Sequence, residues 1–275
     1  MTDFNSLKTE SRNLKSANID KMSALEIARL INEEDKTVAF AVTEALESIA
    51  QGIDAMADAL KNGGRIFYVG AGTSGRLGVL DASECPPTYG VSRDTVIGII
   101  AGGRDAAFES IEDAEDDFDS CVKQMKEKNF NTKDICVGLS ASGSANCVKG
   151  ALQYASSLSA KTISVSCNHN SPLIPLSDIA ITVEVGPEVI NGSTRMKAGT
   201  AQKLMLNMLS TAVMIRLGRV EGNRMVNMQL TNDKLVARGT RMVAEASGLD
   251  QTRARELLLR YGSVKKALEH VPESE

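Results

Sequence analysis

The sequence predicts an α/β fold: a three-layer, doubly wound parallel sheet with helices before it and a small helical bundle after it. Two observations predict the sheet. Five short, apolar and β-rich runs alternate with helical stretches, and most of the runs are nearly continuous in apolar residues. Strands of this kind are buried on both faces, as in parallel sheets covered by helices on each side. The runs are Ile66–Val69, Val96–Ile100, Ile135–Leu139, Thr162–Val165 and Ile179–Val185.

The predicted helices fall before, between and after these runs. Ser23 and Glu26 form a capping box that opens a first helix, and Gly63-Gly64 ends a second one. Further helices are expected at about 75–82, 105–127, 144–158 and 195–217. From about residue 232 only helical periodicity remains. We therefore predict three segments: a helical lead-in over 1–62, a sheet domain over 63–230 and a helical subdomain over 231–275.

Composition and charge narrow the functional class. Of the 275 residues 43% are hydrophobic, which is enough for one broad domain with a small appendage. A net charge of −4 and an aromatic content of 4% without Trp argue against a nucleic-acid partner. No apolar run reaches the about 18–20 residues of a membrane-spanning helix, and the N-terminus is polar, so we expect a cytoplasmic protein. The five cysteines lack a Cys-x-x-Cys pair, which indicates reduced thiols and no zinc site.

A glycine-rich loop, Gly70–Gly78, follows the first predicted strand. Its glycines allow a close backbone approach to a ligand, and the helix that follows presents free amides to an anion. Gly72, Thr73 and Ser74 therefore predict a site for a phosphate monoester, which the hydroxyls suit. The loop also fits the Gly-x-Gly-x-x-Gly pattern of a nucleotide-dependent oxidoreductase. Such a site requires an acidic residue at the end of the second strand, about 20 residues after the loop, but here that position falls in Gly90–Asp94, ahead of the next predicted strand. A plain tight turn is a further alternative.

A serine-rich loop follows the third predicted strand and carries Ser140, Ser142 and Gly143. The carboxyl ends of neighbouring parallel strands face one crevice, so we expect this loop to join the first in a single phosphate cradle.

A third polar segment opens the longest predicted helix. It contains Glu188, Ser193, Thr194 and Lys197, which form either an anion-facing helix terminus or ordinary N-capping.

Two carboxylates are candidates for proton transfer. We expect Pro86-Pro87 to end a helix and leave Glu84 in its last turn near the glycine loop, where the negative helix end favours a protonated, acid-donating form. A surface carboxylate explains Glu84 equally well. Glu115 lies in the acidic run Glu109–Asp119, which by itself is typical of a solvated helix face.

Taken together and in order, these motifs resemble the N-acetylmuramic acid 6-phosphate etherases over about residues 20–275. The resembling stretches are Ile31–Asp35, Gly70–Gly78, Leu80–Thr88, Ile100–Gly103, Glu115-Asp116, Gly186–Glu188, Gly192–Lys203 and Leu206–Thr211.

The resemblance implies a sugar isomerase (SIS) fold, a homodimer, a sugar-phosphate substrate, and no metal or cofactor. It also implies elimination of D-lactate from the open-chain sugar, followed by addition of water to give N-acetylglucosamine 6-phosphate. Glu84 falls on the position of the acid and Glu115 on that of the second catalytic carboxylate. Glucokinase regulatory protein shares the fold and binds sugar phosphates without turnover, so a non-catalytic regulatory protein is the alternative.

The sequence departs from the family pattern at two places. The second loop usually reads Ser-x-Ser-Gly-Arg-Thr-Pro, whereas here Ser144, Ala145 and Asn146 follow the glycine. Asn191 stands where the family usually has Thr. The two serines and the glycine of the cradle remain, but the resemblance leaves substrate affinity and identity open.

Overall fold

The computed structural model describes residues 7–271, without the side chain of Glu112. Within this range five parallel strands form one sheet in the order β2-β1-β3-β4-β5. The strands are β1 Ile66–Gly70, β2 Val96–Ile100, β3 Ile135–Leu139, β4 Lys161–Ser166 and β5 Ile179–Thr182. Every residue of the central strands β1 and β3 is buried, which explains their continuous apolar runs. The predicted fold class is confirmed, although the last strand ends three residues earlier than expected.

Helices cover both faces of the sheet. In residues 7–271 they are α1 Ala24–Thr43, α2 Leu46–Lys61, α3 Gly72–Tyr89, α4 Ser120–Glu127, α5 Asn146–Ser157, α6 Lys197–Arg216, α7 Asp233–Ser247, α8 Gln251–Tyr261 and α9 Val264–Leu268. Tyr68 and Val137 share one core with α1, α2, α3 and α6, whereas Phe67 and Cys136 share the opposite core with α4 and α5. Alternate residues of each strand thus contribute to different cores, which makes three layers.

The strand order reverses between β1 and β3. The chain moves outward from β1 to β2, then crosses back to β3 and continues to β4 and β5. Gly70 at the end of β1 is in register with Leu139 at the end of β3, so the loops that follow these residues emerge side by side. A crevice at such a reversal is the usual ligand site of a doubly wound sheet.

Two helix predictions are wrong. The segment predicted as one helix over 105–127 forms 3₁₀ turns at Arg104–Ala107 and Glu112–Glu115, and only α4 is an α-helix. Like charges spaced three and four residues apart destabilise a helix, and this acidic run contains many.

The prolines do not end α3. The helix continues through Pro86 and Pro87 to Tyr89, and Gly90 then closes it in the left-handed conformation by donating its N–H to the Pro86 carbonyl. The Pro87 carbonyl accepts a hydrogen bond from the N–H of Gln229, in the segment that leads to α7. Tertiary contacts thus hold a helix that local propensity would stop. Glu84 therefore does not lie in the last turn.

The C-terminal helices have a core of their own. Val243 and Leu258 pack with Val226 and Met228, apart from both cores of the sheet. The predicted C-terminal bundle is confirmed. The segment bounds 1–62, 63–230 and 231–275 stay a prediction, and residues 1–6 and 272–275 lie outside the described residues. No helix in residues 7–271 combines the length and apolar character that a membrane span requires.

Candidate active site

A cavity of about 350 Å³ opens at the carboxyl ends of β1 and β3. It brings together five segments that are far apart in the sequence. Its lining residues are Glu10, Ala71, Gly72, Thr73, Ser74, Glu115, Leu139, Ser140, Ala141, Ser142, Ser144, Ala145, Gly192 and Thr194. Both predicted phosphate loops therefore face one cavity, and Glu115 lies in the same wall.

The glycine loop lets α3 begin directly against the sheet. A Cβ added to Gly75 would lie 2.6 Å from the Gly70 carbonyl oxygen, so a side chain there would push the helix away from the strand. No side chain caps the start of α3 at Ala71. The first-turn amides lack helical partners and are directed towards the cavity end of the helix, where they are available to an anion.

Ser74 is held in place by a hydrogen bond to a buried side chain of α6. It is 8% exposed, and its hydroxyl donates to Gln202 Oε1 at 2.9 Å. Gln202 belongs to α6 and is itself 1% exposed, and its Nε2 has no hydrogen-bond partner among the described residues. The sequence offered no local sign that Gln202 would support this loop.

The second loop is built from its own serines. The Gly143 N–H donates to Ser140 Oγ at 3.1 Å, and the hydroxyls of Ser142 and Ser144 are 2.7 Å apart. Gly143 has a φ of +80°, and a Cβ there would collide with Ser171 Oγ, so only glycine fits. Ser144, one of the departures from the family pattern, thus lines the cavity and hydrogen-bonds Ser142, which is predicted to bind the phosphate.

A strap formed by residues 7–16 closes one side of the cavity. Asn168, which is 2% exposed, donates to the carbonyls of Ala141 and Ser142 and also bonds the main chain and hydroxyl of Thr9. It therefore ties the strap to the second loop. Asn191 donates to the carbonyls of Glu10 and Ser11 at 3.2 and 2.8 Å when its amide nitrogen faces them. Both asparagines were missed as site residues because their partners are distant in sequence.

Glu115 lies at the end of a 3₁₀ turn, borders the cavity and keeps contact with solvent. Partial burial raises the pKa of Glu115 above its ordinary value, and the negative charges of Asp116 and Glu10 raise it further. A carboxyl group whose pKa is closer to neutrality is better suited to proton transfer.

Glu84 does not border the cavity of its own chain. It follows Gly72 by twelve residues within α3, which corresponds to about 18 Å along the helix axis. The side chain is exposed, as is that of Leu80 one turn earlier. One chain therefore brings Glu115, but not Glu84, to the two predicted phosphate loops.

Glu188 and Lys197 have partners inside the protein. The Glu188 carboxylate accepts hydrogen bonds at 2.9 Å from the N–H groups of Lys197 and Ala198, and so caps α6. Lys197 Nζ lies 2.7 Å from Glu34 in a buried ion pair. Neither residue lines the cavity, and of the third polar segment's predicted residues Thr194 does so whereas Ser193 does not.

No metal centre is apparent in the part of the chain that the structure describes. Residues 7–271 contain no group of three or more His, Cys, Asp or Glu side chains placed to hold an ion.

Known proteins resemble both parts of the chain. Residues 48–156 match the N-terminal SIS domain of glucokinase regulatory protein, and residues 222–272 match the C-terminal lid domain of glucokinase regulatory protein. A phosphoheptose isomerase structure from Francisella tularensis superposes with a TM-score of 0.55 at 21% identity, covering 70% of this chain and 98% of that one. This likeness confirms the predicted SIS fold.

Curated relatives cover nearly the whole sequence. An N-acetylmuramic acid 6-phosphate etherase of Clostridium beijerinckii is 52% identical over 256 residues, which are 93% of this chain and 84% of that protein. One from Aliivibrio fischeri is 52% identical over 93% of this chain and 85% of its own length.

Proposed function

This chain belongs to the N-acetylmuramic acid 6-phosphate etherase family, and we propose that the cavity at the ends of β1 and β3 is where it cleaves the lactyl ether. The relatives confirm the predicted etherase function and favour neither the regulatory nor the oxidoreductase alternative. One observation carries the assignment of the site: two hydroxyl-bearing loops and Glu115 line the same cavity of about 350 Å³. We further propose that the enzyme acts in the cytoplasm.

The two loops bind the phosphate in this proposal. The first-turn amides of α3 and the hydroxyls of Thr73 and Ser142 supply donors on two sides of one space, while Ser74, whose hydroxyl donates to Gln202, holds the first loop in place. A phosphate monoester accepts several such bonds at once, so in this proposal the phosphate end of the substrate contributes most of the binding energy.

The reaction needs one proton removed and one supplied. A base takes the C–H proton beside the aldehyde of the open-chain sugar, and an acid protonates the ether oxygen, so that D-lactate leaves as an alcohol and an unsaturated aldehyde remains. Water then adds across that double bond and gives N-acetylglucosamine 6-phosphate. We assign removal of the proton beside the aldehyde to Glu115, because it is the carboxylate of the predicted pair that borders the cavity.

Glu84 takes part in this scheme if a second chain presents it. Its neighbour Leu80 is 45% exposed, and Met208 and Ile215 on the adjoining helix α6 are 36% and 51% exposed. Apolar side chains exposed together on packed helices are typical of an interface. We therefore propose a homodimer in which Glu84 of each chain serves as the acid at the partner's cavity.

Lactate release from N-acetylmuramic acid 6-phosphate tests the activity. Glu84→Gln and Glu115→Gln are each expected to lose about 10²-fold or more in rate, because neither variant can transfer the proton. Asp117→Asn, an exposed change in the same acidic run, is the control and should stay near the normal rate. Normal turnover in either glutamine variant would remove that residue from the mechanism.

Mixed dimers test the shared site. Refolding Glu84→Gln and Glu115→Gln chains together gives heterodimers with one intact site if the site spans two chains, and so about a quarter of the normal rate overall. If each site uses carboxylates of one chain, every site lacks a group and mixing restores nothing.

A further inference from the structure

The cavity contains a second carboxylate, Glu10 of the strap, to which neither the motifs nor the reaction scheme gives a role. A Cβ added to Gly192 on the cavity wall would lie 3.6 Å from Glu10 Oε2, which places the carboxylate against that wall. Among residues 7–271 this carboxylate has no hydrogen bond or salt bridge, although the main chain on each side of it is bonded. Glu10 is thus a solvent-exposed acceptor that lines the cavity and has no partner among the described residues.

The strap holds Glu10 in a defined position. Leu7 and Thr9 are 1% and 0% exposed, and the Glu10 N–H donates to the Leu7 carbonyl at 3.0 Å. Further along, Asn13 Nδ2 donates to Glu34 Oε2 at 3.0 Å, which ties the strap to α1. Side chains supported in this way keep the geometry that specific recognition requires.

We propose that Glu10 is a specificity-determining residue. Its carboxylate accepts a hydrogen bond from a neutral donor of the amino sugar, either a hydroxyl or an amide N–H, on the side away from the phosphate. A carboxylate accepts hydrogen bonds and donates none when ionised. The substrate carries two anions, the phosphate and the lactyl carboxylate, and Glu10 repels both. Its charge thus favours the orientation in which the phosphate lies on the serine loops. The inference rests on the site proposed above.

Glu10 also acts on Glu115 through charge. Besides partial burial, two charged groups raise the pKa of Glu115: Asp116 on the same turn and Glu10 on the strap. Replacing Glu10 by Gln removes one negative charge, so the pKa of Glu115 falls. If Glu115 is the base, the acidic limb of the pH profile for kcat/KM then moves to lower pH. A substitution that merely loosened the strap would not move that limb in this direction.

The test compares Glu10→Gln with Asp20→Asn, an exposed carboxylate beyond the strap. We expect Glu10→Gln to lose about 10- to 100-fold in kcat/KM and in affinity for N-acetylglucosamine 6-phosphate, the effect of losing a charged acceptor. Affinity for inorganic phosphate should be unchanged or higher. Asp20→Asn should match the wild type in all three measurements. Glu10→Asp, which keeps the charge, serves as the second variant should the glutamine variant fold poorly, and should keep the wild-type pH profile at a lower kcat/KM.

Each failure has a different signature. A wild-type protein that releases no lactate would refute the activity, and an unaffected Glu115→Gln would refute the location of the site. If Glu115→Gln is inactive while Glu10→Gln keeps the wild-type kcat/KM and pH profile, the role of Glu10 alone is overturned. Equal weakening of sugar phosphate and inorganic phosphate would likewise overturn it, because it indicates a structural role for the strap.

Discussion

The buried ion pair between Lys197 and Glu34 allows a sharp test of how the strap and α6 are held. The two side chains are 3% and 6% exposed, and their charged atoms are 2.7 Å apart. Glu34 also accepts hydrogen bonds from Asn13 and Lys15 of the strap. Glu34→Gln keeps the shape and an acceptor oxygen but leaves the Lys197 charge without its counterion.

Breaking a buried pair by removing one partner costs about 3–5 kcal/mol, and the retained amide oxygen favours the lower end. For a chain of this size about 3 kcal/mol corresponds to a drop of roughly 10 °C in Tm. The assay is thermal unfolding at neutral pH, with Glu33→Gln as the matched control. Glu33 pairs with Lys36 on the surface, where such a pair contributes under about 1 kcal/mol.

The pH dependence of Glu34→Gln follows from the same contacts. Burial by itself would raise the pKa of Glu34, but hydrogen bonds from Lys15 and Lys197, and the charge of both, lower it from 4.5 to about 2. A carboxyl group whose pKa is lower in the folded state stabilises the fold above its unfolded pKa, and this stabilisation is lost as the pH falls. The difference in stability between wild type and variant should therefore shrink between about pH 4.5 and pH 2. Equal Tm values for the Glu33 and Glu34 variants at neutral pH would refute the reasoning.

Three further predictions concern the cavity. Ser74→Ala and Ser142→Ala should each weaken binding of N-acetylglucosamine 6-phosphate about 10- to 100-fold in calorimetry. Unphosphorylated N-acetylmuramic acid should bind poorly to the wild type, and equal affinity for both sugars would refute the phosphate cradle. Glu115→Gln should lose exchange of the proton beside the aldehyde with deuterated solvent by NMR, whereas Asp117→Asn should exchange normally; equal, mild losses would indicate a general electrostatic effect. Gly143→Ala should lower the free energy of unfolding by more than about 1 kcal/mol in denaturant titration, because residue 143 has a φ of +80° and the added Cβ would meet Ser171. A variant as stable as the wild type would show that the loop adapts.

The strands and the positions of the two hydroxyl-bearing loops were predictable because their signals are local. A buried parallel strand is apolar throughout, and a glycine or serine loop directly after it lies at the carboxyl edge of the sheet wherever the strand is placed. That is why Ser74 and Ser142 could be assigned to one crevice before their positions were known, and both line the cavity.

The polar groups of the long-range network were not predictable in this way. Lys197 was assigned to phosphate because a cation at a helix start suits an anion, yet its charge pairs with Glu34, which lies 163 residues away in the sequence. The end of α3 was predicted at its prolines from local propensity, and the contact of Pro87 with Gln229 overrides it. Glu10 carries no local pattern that separates it from any exposed acid.

The sequence by itself therefore determined the sheet, its covering helices, the chemistry of the two loops and the family, since each depends on residues that are neighbours along the chain. Tertiary structure alone decided which charges meet. It placed Glu10 and Glu115 in the lining of one cavity, buried Lys197 against Glu34, and left Glu84 on an exposed helix face about 18 Å along α3 from its own glycine loop. The physical reason is that the effect of a charge depends on distance and burial, and both are defined only when distant segments pack together.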